Sequence, residues 1–544
     1  MTTLHGPPLD ETVGIGALTM GGFLEEVAAR FAKNEALVFD EPLRSGATHR
    51  CSYGDLRDEA RRVAKGLVAL GVEGGERVAV LMGNRPEAVA ALFGAAMAGA
   101  VVVPLSTFSP PAELAFLLAD CEAVVVLTQT RMLARRFADD LGGLRGDLSA
   151  LRDVVVLGDP TWDDFLVGGN AVDDRVIDER IARTQPTDPG LIIYSSGTTS
   201  TPKGMLHNHR APTLQFWIQA QIFRRDETTR MWTSLPMFWT AGLNTAMGST
   251  LAAGACWVMQ ESFEAGHALE LMQRERVTEP YALPHQIGAL EEHPRWATTD
   301  LASFRYVFGK SALARHPTVS GDTTWNMPVG YGLSETCAFF VSHWSDTPRE
   351  LLKQSMGKLL PGNELRVVDP DTGGTLGPNE DGELAIKGPT LMLHYLGMAP
   401  EDCFDADGFF HTGDAGFFDE DGFVHWTGRR TEMIKTGGAN VSPAELEVQL
   451  RACPPVKLAR IVGMPDARLD EIVVACITLK DGAAATEADI QDFLRTRVAA
   501  YKVPKRVLFF EEGAIPMTGS DTKVRDADLV ALVTDRLQPT SGDR

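Results

Sequence analysis

Short apolar runs that alternate with helical segments constrain the fold of this chain most strongly. The runs at residues 77–81, 101–103, 123–127 and 154–157 are built almost entirely from valine, alanine and leucine. A helix-like stretch at 86–98 lies between the first two runs. Strands that are apolar on both faces are typical of parallel sheets covered by helices. The sequence therefore predicts an α/β fold whose large N-terminal domain has parallel sheets flanked by helices.

The texture of the sequence changes twice toward the C-terminus. From about 361 to 428, short strands alternate with Asp-Gly turns beside aromatic residues, which is a hairpin signal. We expect a β-rich subdomain there, inside an N-terminal domain of residues 1–430. Residues 431–535, with a helix predicted at 487–500, have the pattern of a compact α+β C-terminal domain. Residues 536–544 are polar and are predicted to be a disordered tail.

Composition excludes several classes of protein. A chain of 544 residues is too long for one core. The formal net charge of −22, from 51 basic and 73 acidic residues, argues against a nucleic-acid partner. The uncharged stretch 88–105 reads as a helix followed by a strand, so we expect no integral membrane segment. Seven scattered cysteines without metal or redox spacing, and no signal-like start, indicate a cytoplasmic location.

One loop points to a bound polyphosphate. It reads Tyr-Ser-Ser-Gly-Thr-Thr-Ser-Thr-Pro-Lys-Gly from Tyr194 to Gly204 and follows an apolar run. Glycine lets backbone N–H groups approach an anion, hydroxyl groups add donors, and Lys203 adds a positive charge. The loop is not a Walker A motif, since proline precedes the lysine and glycine follows it. A flexible linker is the alternative interpretation.

Two further segments carry chemistry that suits a nucleotide. Residues 331–335, Tyr-Gly-Leu-Ser-Glu, combine a ring that could stack on a base with the carboxylate of Glu335, a hard ligand for Mg²⁺. The sequence His-Thr-Gly-Asp at 411–414 supplies Asp414, which could accept both ribose hydroxyls. A helix cap at Ser334 and a plain turn are the respective alternatives. Lys523, in a polar loop near the C-terminus, is by itself only a surface turn.

In this order the segments closely resemble the adenylate-forming superfamily, which includes acyl- and aryl-CoA synthetases, firefly luciferase and peptide-synthetase adenylation domains. The resemblance runs from residue 99 to residue 523. The loop at 194–204 is similar to the family's phosphate loop, and 411–414 matches its His-Thr-Gly-Asp motif. The family pattern Tyr-Gly-x-Thr-Glu is present with serine in place of threonine, which retains the hydroxyl.

The resemblance implies a role for each matching residue. It implies that Lys523, Glu335 and Thr199 are catalytic, the last two as Mg²⁺ ligands, and that Glu432 is the hinge. Gly437 and Gly438 would line the coenzyme A channel. The acyl pocket would include Trp239, Gly242, Leu243, His285 and Gly330. The implied ATP-binding residues are Ser195, Ser196, Gly197, Thr198, Thr199, Lys203, Gly309, Ser311, Ala312, Tyr331, Gly332, Ser334, Asp414, Arg429 and Lys523.

Three positions depart from the family pattern. Lys310 stands in the adenine-facing stretch, where small residues are usual. Trp239 replaces a histidine at the mouth of the acyl pocket. The loop before Lys523 has one extra residue and lacks the usual glycine.

The implied activity is that of an acid–thiol ligase. A carboxylic acid would react with ATP and Mg²⁺ to give an acyl-adenylate and pyrophosphate, and coenzyme A would then displace AMP. We expect a hydrophobic acid, either a medium- or long-chain fatty acid or one with a bulky ring. Homodimers are common in the family, so a homodimer is also expected as a possible state. The alternatives are a ligase that loads a carrier protein, a luciferase-type oxygenase and a non-catalytic nucleotide-binding relic.

Overall fold

The computed structural model of the chain describes residues 2–41, 46–144, 146, 148–195, 202–307, 309, 311–320, 325–429, 433–436, 439–466, 469–498, 502–517 and 524–537. Its helices are Met20–Phe31, Tyr53–Ala69, Pro86–Met97, Pro111–Asp120, Phe137–Leu144, Pro160–Gly169, Asp174–Arg183, Arg210–Ile222, Ser249–Ala252, Ala265–Arg274, Pro284–Glu292, Ala312–Arg315, Arg349–Leu352, Pro400–Cys403, Pro443–Arg451, Glu487–Arg495 and Asp526–Leu537.

A seven-stranded sheet, here called the first sheet, forms the centre of the N-terminal part. Five neighbouring strands, from Pro189–Ser195 to Asp153–Leu157 in the order given below, are parallel, as predicted from their apolar runs. Two antiparallel strands extend the other side. The strand order is His394–Tyr395, Lys203–Asn208, Pro189–Ser195, Val101–Pro104, Arg77–Leu81, Ala123–Gln129 and Asp153–Leu157.

A five-stranded second sheet packs on the same helices. Four of its strands are parallel and the last is antiparallel. The strand order is Glu279–Pro280, Arg230–Thr233, Cys256–Met259, Glu35–Asp40 and Thr48–Ser52.

Alternating side chains show how the layers stack. Val78 and Val80 of the first sheet and Trp257 of the second join one buried cluster with the helices between the two sheets. Ala79 and Leu81 face the opposite way, into a second cluster. Because strand side chains alternate with a period of two, each sheet buries both of its faces. This arrangement confirms the predicted α/β class.

Two antiparallel sheets follow. A three-stranded sheet contains Gly330–Leu333, Ala338–Ser342 and Lys358–Leu359. A five-stranded hairpin sheet has the order Leu4–His5, Glu364–Val368, Gly382–Lys387, Phe410–Phe418 and Val424–Arg429. Its edge strand, Leu4–His5, comes from the start of the chain and was not foreseen from the sequence.

The C-terminal part is α+β. Its sheet contains Ala439–Val441, Ile434–Thr436, Asp470–Leu479, Val456–Asp466 and Arg506–Phe509. The helix predicted at 487–500 ends earlier, at Arg495, where Thr496 forms the C-cap. The final helix, Asp526–Leu537, reaches two residues into the predicted tail. Val533 is buried, and the guanidinium of Arg536 lies 4.1 Å from the Phe510 ring centroid.

No helix within the described ranges is both long and apolar enough to cross a membrane. The uncharged stretch that raised this question contains helix Pro86–Met97 and strand Val101–Pro104, as predicted.

Gly94 allows the helix Pro86–Met97 to approach the helix Tyr53–Ala69 closely. A Cβ atom at Gly94 would lie 2.6 Å from the Ala60 carbonyl oxygen and 2.8 Å from Val63. Gly94→Ala should therefore destabilise the protein by about 1–3 kcal/mol. Gly142→Ala, in the helix Phe137–Leu144 with no atom within 4 Å, should be neutral or stabilising by up to about 1 kcal/mol. Urea unfolding of both variants checks this, and equal effects would contradict the packing argument.

Candidate active site

The predicted phosphate loop connects two strands of the first sheet. Pro189–Ser195 and Lys203–Asn208 pair in antiparallel register, with Ser195 opposite Lys203. The two ends of the loop are therefore held side by side. The predicted residues Ser196, Gly197, Thr198 and Thr199 lie outside the described residues, as does the side chain of Ser195.

Lys203, Tyr395 and Glu335 form a cluster beside this hairpin. The exposed Lys203 ammonium lies 5.2 Å from the centroid of the Tyr395 ring. Tyr395 donates its hydroxyl to Oε1 of Glu335 over 2.6 Å. Burial raises the pKa of Tyr395, so its hydroxyl remains a donor at neutral pH. Tyr395 was missed by sequence reasoning because its partner is 60 residues away.

His207 ties the Ser334 segment to the hairpin. Its Nε2 lies 3.0 Å from the Ser334 carbonyl oxygen, and the residue is fully buried. Burial lowers the pKa of His207 to about 4, so the ring is neutral at pH 7. A carbonyl oxygen can only accept, so Nε2 carries the proton. His207 and Lys203 are four residues apart on one strand and therefore share a face.

Glu335 sits in a short, tightly specified turn. The residues Ser334–Thr336 form a 3₁₀ turn, and Cys337 follows in the left-handed region with φ +62°. The Asn244 side-chain amide donates to the Cys337 carbonyl from the π-helix Ala241–Gly248. Non-glycine residues in this region are uncommon, and their conformation is maintained by surrounding contacts. The buried Asn244 therefore fixes the end of the segment that carries Glu335.

Close approach of neighbouring strands explains the predicted glycines Gly330 and Gly332. A Cβ atom at Gly332 would lie 1.8 Å from the Ala338 carbonyl oxygen. At Gly330 it would lie 2.6 Å from the Val341 carbonyl oxygen. Both positions therefore have a structural reason for glycine, whatever their part in binding.

Asp414 lies in a buried polar site with Tyr331 and Arg429. Tyr331 donates its hydroxyl to Oδ2 of Asp414 over 2.7 Å, and Arg429 Nε lies 3.3 Å from Oδ1. Strand pairing explains the proximity, since Asp414 and Arg429 are register partners. The Asp414 side chain is 2% exposed, and burial raises its pKa.

The second oxygen of Asp414 is suited to a ligand hydroxyl. Oδ1 is buried and lies 3.3 Å from Arg429 Nε, but it accepts no hydrogen bond of normal geometry from the described residues. Buried polar atoms normally have a partner, so an unsatisfied acceptor here requires an explanation. A ribose hydroxyl would satisfy it.

The adenine-facing stretch is described in part. Ser311 caps the helix Ala312–Arg315 by accepting from Ala314 N over 3.4 Å. A Cβ atom at Gly309 would lie 2.2 Å from a guanidinium nitrogen of Arg349, an arginine that the sequence analysis did not identify. Lys310 lies outside the described residues.

A cavity of about 230 Å³ opens at the carboxyl ends of parallel strands from both sheets, where α/β proteins commonly bind ligands. Trp239 and His285, two residues of the predicted acyl pocket, line it. The described lining residues are Met82, Gly83, Asn84, Thr107, Phe108, Met132, Leu133, Ser234, Leu235, Pro236, Trp239, Glu261, Ser262, Phe263, Leu283, His285 and Gln286.

Three residues of the predicted acyl pocket do not line this cavity. Leu243 is 1% exposed and belongs to the core. Gly242 packs on the Pro236 carbonyl, where a Cβ atom would approach to 1.9 Å. Gly330 is in the antiparallel hairpin and is not among the residues that line the cavity.

The remaining predicted site residues, Lys523, Glu432, Gly437 and Gly438, lie outside the described residues.

Within the described ranges no group of three or more His, Cys, Asp and Glu side chains could hold a metal ion. Mg²⁺ commonly uses one or two carboxylates together with substrate phosphates and water. Glu335, whose carboxylate accepts from the neutral Tyr395 hydroxyl, fits that mode of binding.

We predict that Asp414→Asn weakens ATP binding selectively. A buried hydroxyl group that is left without its hydrogen-bond acceptor costs roughly 1–3 kcal/mol, so KM for ATP should rise about tenfold to a hundredfold. KM for the acid should change little. Asp419→Asn, a carboxylate in a turn of the same hairpin sheet, is the control and should leave both constants unchanged. Equal rises in both constants for Asp414→Asn would show that Asp414 is structural.

A second prediction concerns the Tyr395 hydroxyl. Tyr395→Phe keeps the ring beside Lys203 but removes the donor to Glu335. A hydrogen bond to a charged group contributes about 1.5–3 kcal/mol, so adenylate formation should slow about tenfold to a hundredfold and require more Mg²⁺. Pyrophosphate release across a magnesium titration measures this. Tyr53→Phe is the control, because the buried Tyr53 hydroxyl donates to the Ala255 carbonyl and not to Glu335. This variant should alter stability but not magnesium dependence. The same magnesium dependence in wild type and Tyr395→Phe would rule the contact out.

Comparison with known proteins identifies matches over most of the chain. The family model for AMP-binding enzymes matches residues 24–396, and that for the AMP-binding enzyme C-terminal domain matches residues 445–522. Indoleacetate–CoA ligase of Aromatoleum aromaticum is 32% identical, covering 89% of this chain and 93% of the relative. Long-chain-fatty-acid–CoA ligase FadD13 of Mycobacterium tuberculosis is 31% identical, covering 86% and 90%. The anthranilate CoA ligase AuaEII, solved with anthranoyl-AMP, superposes with a TM-score of 0.76 at 26% identity, covering 95% and 98%.

Proposed function

The chain belongs to the family of AMP-binding enzymes, and we propose that it attaches coenzyme A to a compact, ring-bearing carboxylic acid. It is an ATP-dependent, AMP-forming acyl-CoA ligase that works through an acyl-adenylate. Relatives are named for acids as different as indoleacetate and long-chain fatty acids, so family membership leaves the acid open.

The size and lining of the cavity support a ring-bearing acid. Its volume of about 230 Å³ is below the roughly 300–1,000 Å³ of pockets for drug-sized ligands. Phe108, Phe238 and Trp239 contact one another with ring centroids 5.4–6.1 Å apart, and Phe108 and Trp239 line the cavity. Aromatic rings pack well edge to face on another ring. A flat ring of one or two cycles therefore suits this space better than an extended long chain.

One helix connects this cavity to the Glu335 segment. The Trp239 carbonyl accepts from Leu243 N over 2.8 Å, which joins the cavity wall to the π-helix Ala241–Gly248. Asn244, on the same helix, bonds the carbonyl two residues beyond Glu335. An acid seated beside Trp239 and a nucleotide seated beside Glu335 would thus be positioned by a single element.

The chemistry that we propose uses positioning and charge. The acid's carboxylate attacks the α-phosphate of ATP, the acyl-adenylate forms, and pyrophosphate leaves; the thiol of coenzyme A then displaces AMP. Asp414 and Arg429 would hold the ribose, and Lys203 would face the phosphates. When bound, Mg²⁺ supplies charge neutralisation at the phosphate oxygens, with Glu335 as its carboxylate ligand. Lys523 is our proposed partner of the α-phosphate, and Glu432 our proposed hinge.

The location we propose is the cytoplasm, where ATP and coenzyme A are available. All seven cysteines are free thiols, six of them buried, which suits a reducing compartment.

An acid panel tests the proposed function. Pyrophosphate release and CoA thioester formation should be measured for aryl-acetic and cinnamic acids and for saturated acids of increasing length. We expect kcat/KM to be at least tenfold higher for the ring-bearing acids than for the long-chain acids, because the long chains exceed the cavity. A higher kcat/KM for the long-chain acids would overturn the proposal.

Two controls sharpen the panel. Trp239→Ala should enlarge the cavity and raise activity toward longer acids, with KM for ATP unchanged. Trp344→Ala, an exposed tryptophan that does not line the cavity, should leave the acid profile unchanged. Pyrophosphate release with no thioester formed from coenzyme A would favour the carrier-protein alternative.

A further inference from the structure

One charged side chain, that of Glu261, is among the described residues that line the cavity. Of the described residues that line it, Glu261 is the only aspartate, glutamate, lysine or arginine. It lies just beyond the strand Cys256–Met259, and its side chain is 11% exposed. Carboxylates are rarely buried this far without a specific partner or purpose. Its position in a pocket for a hydrophobic acid therefore calls for an explanation.

One oxygen of Glu261 is fixed by two donors. Oε1 accepts from Arg85 Nη1 over 3.1 Å and from Gln129 Nε2 over 2.9 Å. Close packing restrains the stem as well, since a Cβ atom at Gly83 would lie 2.6 Å from Glu261 Cγ. These contacts leave the carboxylate little freedom to turn away from the cavity.

All three nitrogens of the Arg85 guanidinium donate to carboxylates. It is fully buried, its Nη2 donates to Glu41 over 2.6 Å, and its Nε donates to Glu87 over 3.0 Å. Three carboxylates thus share one guanidinium. Within the described part of the chain, Oε2 of Glu261 accepts no hydrogen bond.

Two other polar side chains that line the cavity, Asn84 and Gln286, form hydrogen bonds within the protein. Asn84 donates to the Leu235 carbonyl over 2.9 Å. Gln286 donates to Ser234 Oγ over 2.9 Å and accepts from Leu283 N over 3.0 Å. Glu261 differs from them in presenting an acceptor toward the space where a ligand would lie.

We propose that Glu261 is a specificity-determining residue whose Oε2 accepts a hydrogen bond from a ring N–H or hydroxyl group on the bound acid. The inference rests on the proposed function and names the substrate class more narrowly: a ring-bearing acid with a donor group remote from its carboxylate. Burial raises the pKa of Glu261, which is consistent with an acceptor that lacks full solvation before the ligand arrives.

Matched acids test this directly. Indole-3-acetate and benzofuran-3-acetate share a shape, but only the first has an N–H donor; 4-hydroxycinnamate and cinnamate differ in one hydroxyl. A hydrogen bond to a charged acceptor corresponds to about tenfold to a hundredfold. For wild-type enzyme we expect kcat/KM to favour the donor acid by at least tenfold in one pair, with KM for ATP unaffected.

Glu261→Gln should abolish that preference. The glutamine oxygen must accept from Arg85 and Gln129, so its NH₂ group faces the cavity and offers a donor in place of an acceptor. We expect the indole-to-benzofuran ratio to fall below about threefold or to invert, while KM for ATP stays unchanged. Glu261→Asp, which keeps the charge but withdraws it by one methylene, should lose the preference too and serves if the glutamine variant does not fold.

Glu87→Gln is the matched control. It removes a carboxylate from the same arginine but does not line the cavity. The donor preference should survive it, and an equal loss in this variant would overturn a direct contact by Glu261. Wild-type activity on both members of each pair without preference would refute the role of Glu261 and leave the proposed function standing. Activity on none of the ring-bearing acids would instead refute the proposed function.

Discussion

The candidate active site depends on the pairing of one antiparallel strand. Lys203–Asn208 lies between Pro189–Ser195 and His394–Tyr395 at the edge of an otherwise parallel arrangement. It brings Lys203 beneath the Tyr395 ring and sets His207 against the Ser334 carbonyl. A slip of one residue would turn both side chains to the other face of the sheet. The positions of the side chains around Glu335 therefore depend on the register of the strand Lys203–Asn208, which is more than 120 residues away in sequence.

Buried polar contacts then connect separate parts of the site. Gln215 donates to the carbonyls of Thr336 and Phe339, and Gln219 donates to Gln215. Thr245, on the π-helix, donates to Gln219 over 2.6 Å. Such networks define one arrangement because each member is costly to leave unpaired. π-Helices are often found at functional sites. This one contacts both Trp239 at the cavity wall and the segment that carries Glu335.

Much of the fold could be predicted from the sequence, because it depends on local patterns. The apolar run at 77–81 became a buried parallel strand, and the Asp-Gly turn near 421 joins two strands of the hairpin sheet. The Asp-Gly turn near 407 instead connects the helix Pro400–Cys403 to the strand Phe410–Phe418. The final helix was missed since its buried face, Leu529 and Val533, is narrow and is followed by a polar tail.

The site was only partly predictable for a different reason. Asp414 and Glu335 stood out by residue type within short motifs. Tyr395 and the Arg85–Glu261 pair did not, because their partners are 60 and 176 residues away and meet only through tertiary packing. Gly242 and Leu243, which the resemblance implies for the acyl pocket, do not line the cavity that Trp239 lines.

The environment of Asp414 has a consequence for the nucleotide. A proton and a ribose hydroxyl would compete for the same buried oxygen, because a carboxylate that has taken up a proton accepts hydrogen bonds poorly. Since burial raises the pKa of this group, the competition extends to a higher pH than for an exposed aspartate. Nucleotide binding is then linked to release of a proton, and affinity falls as the solution is acidified through that pKa.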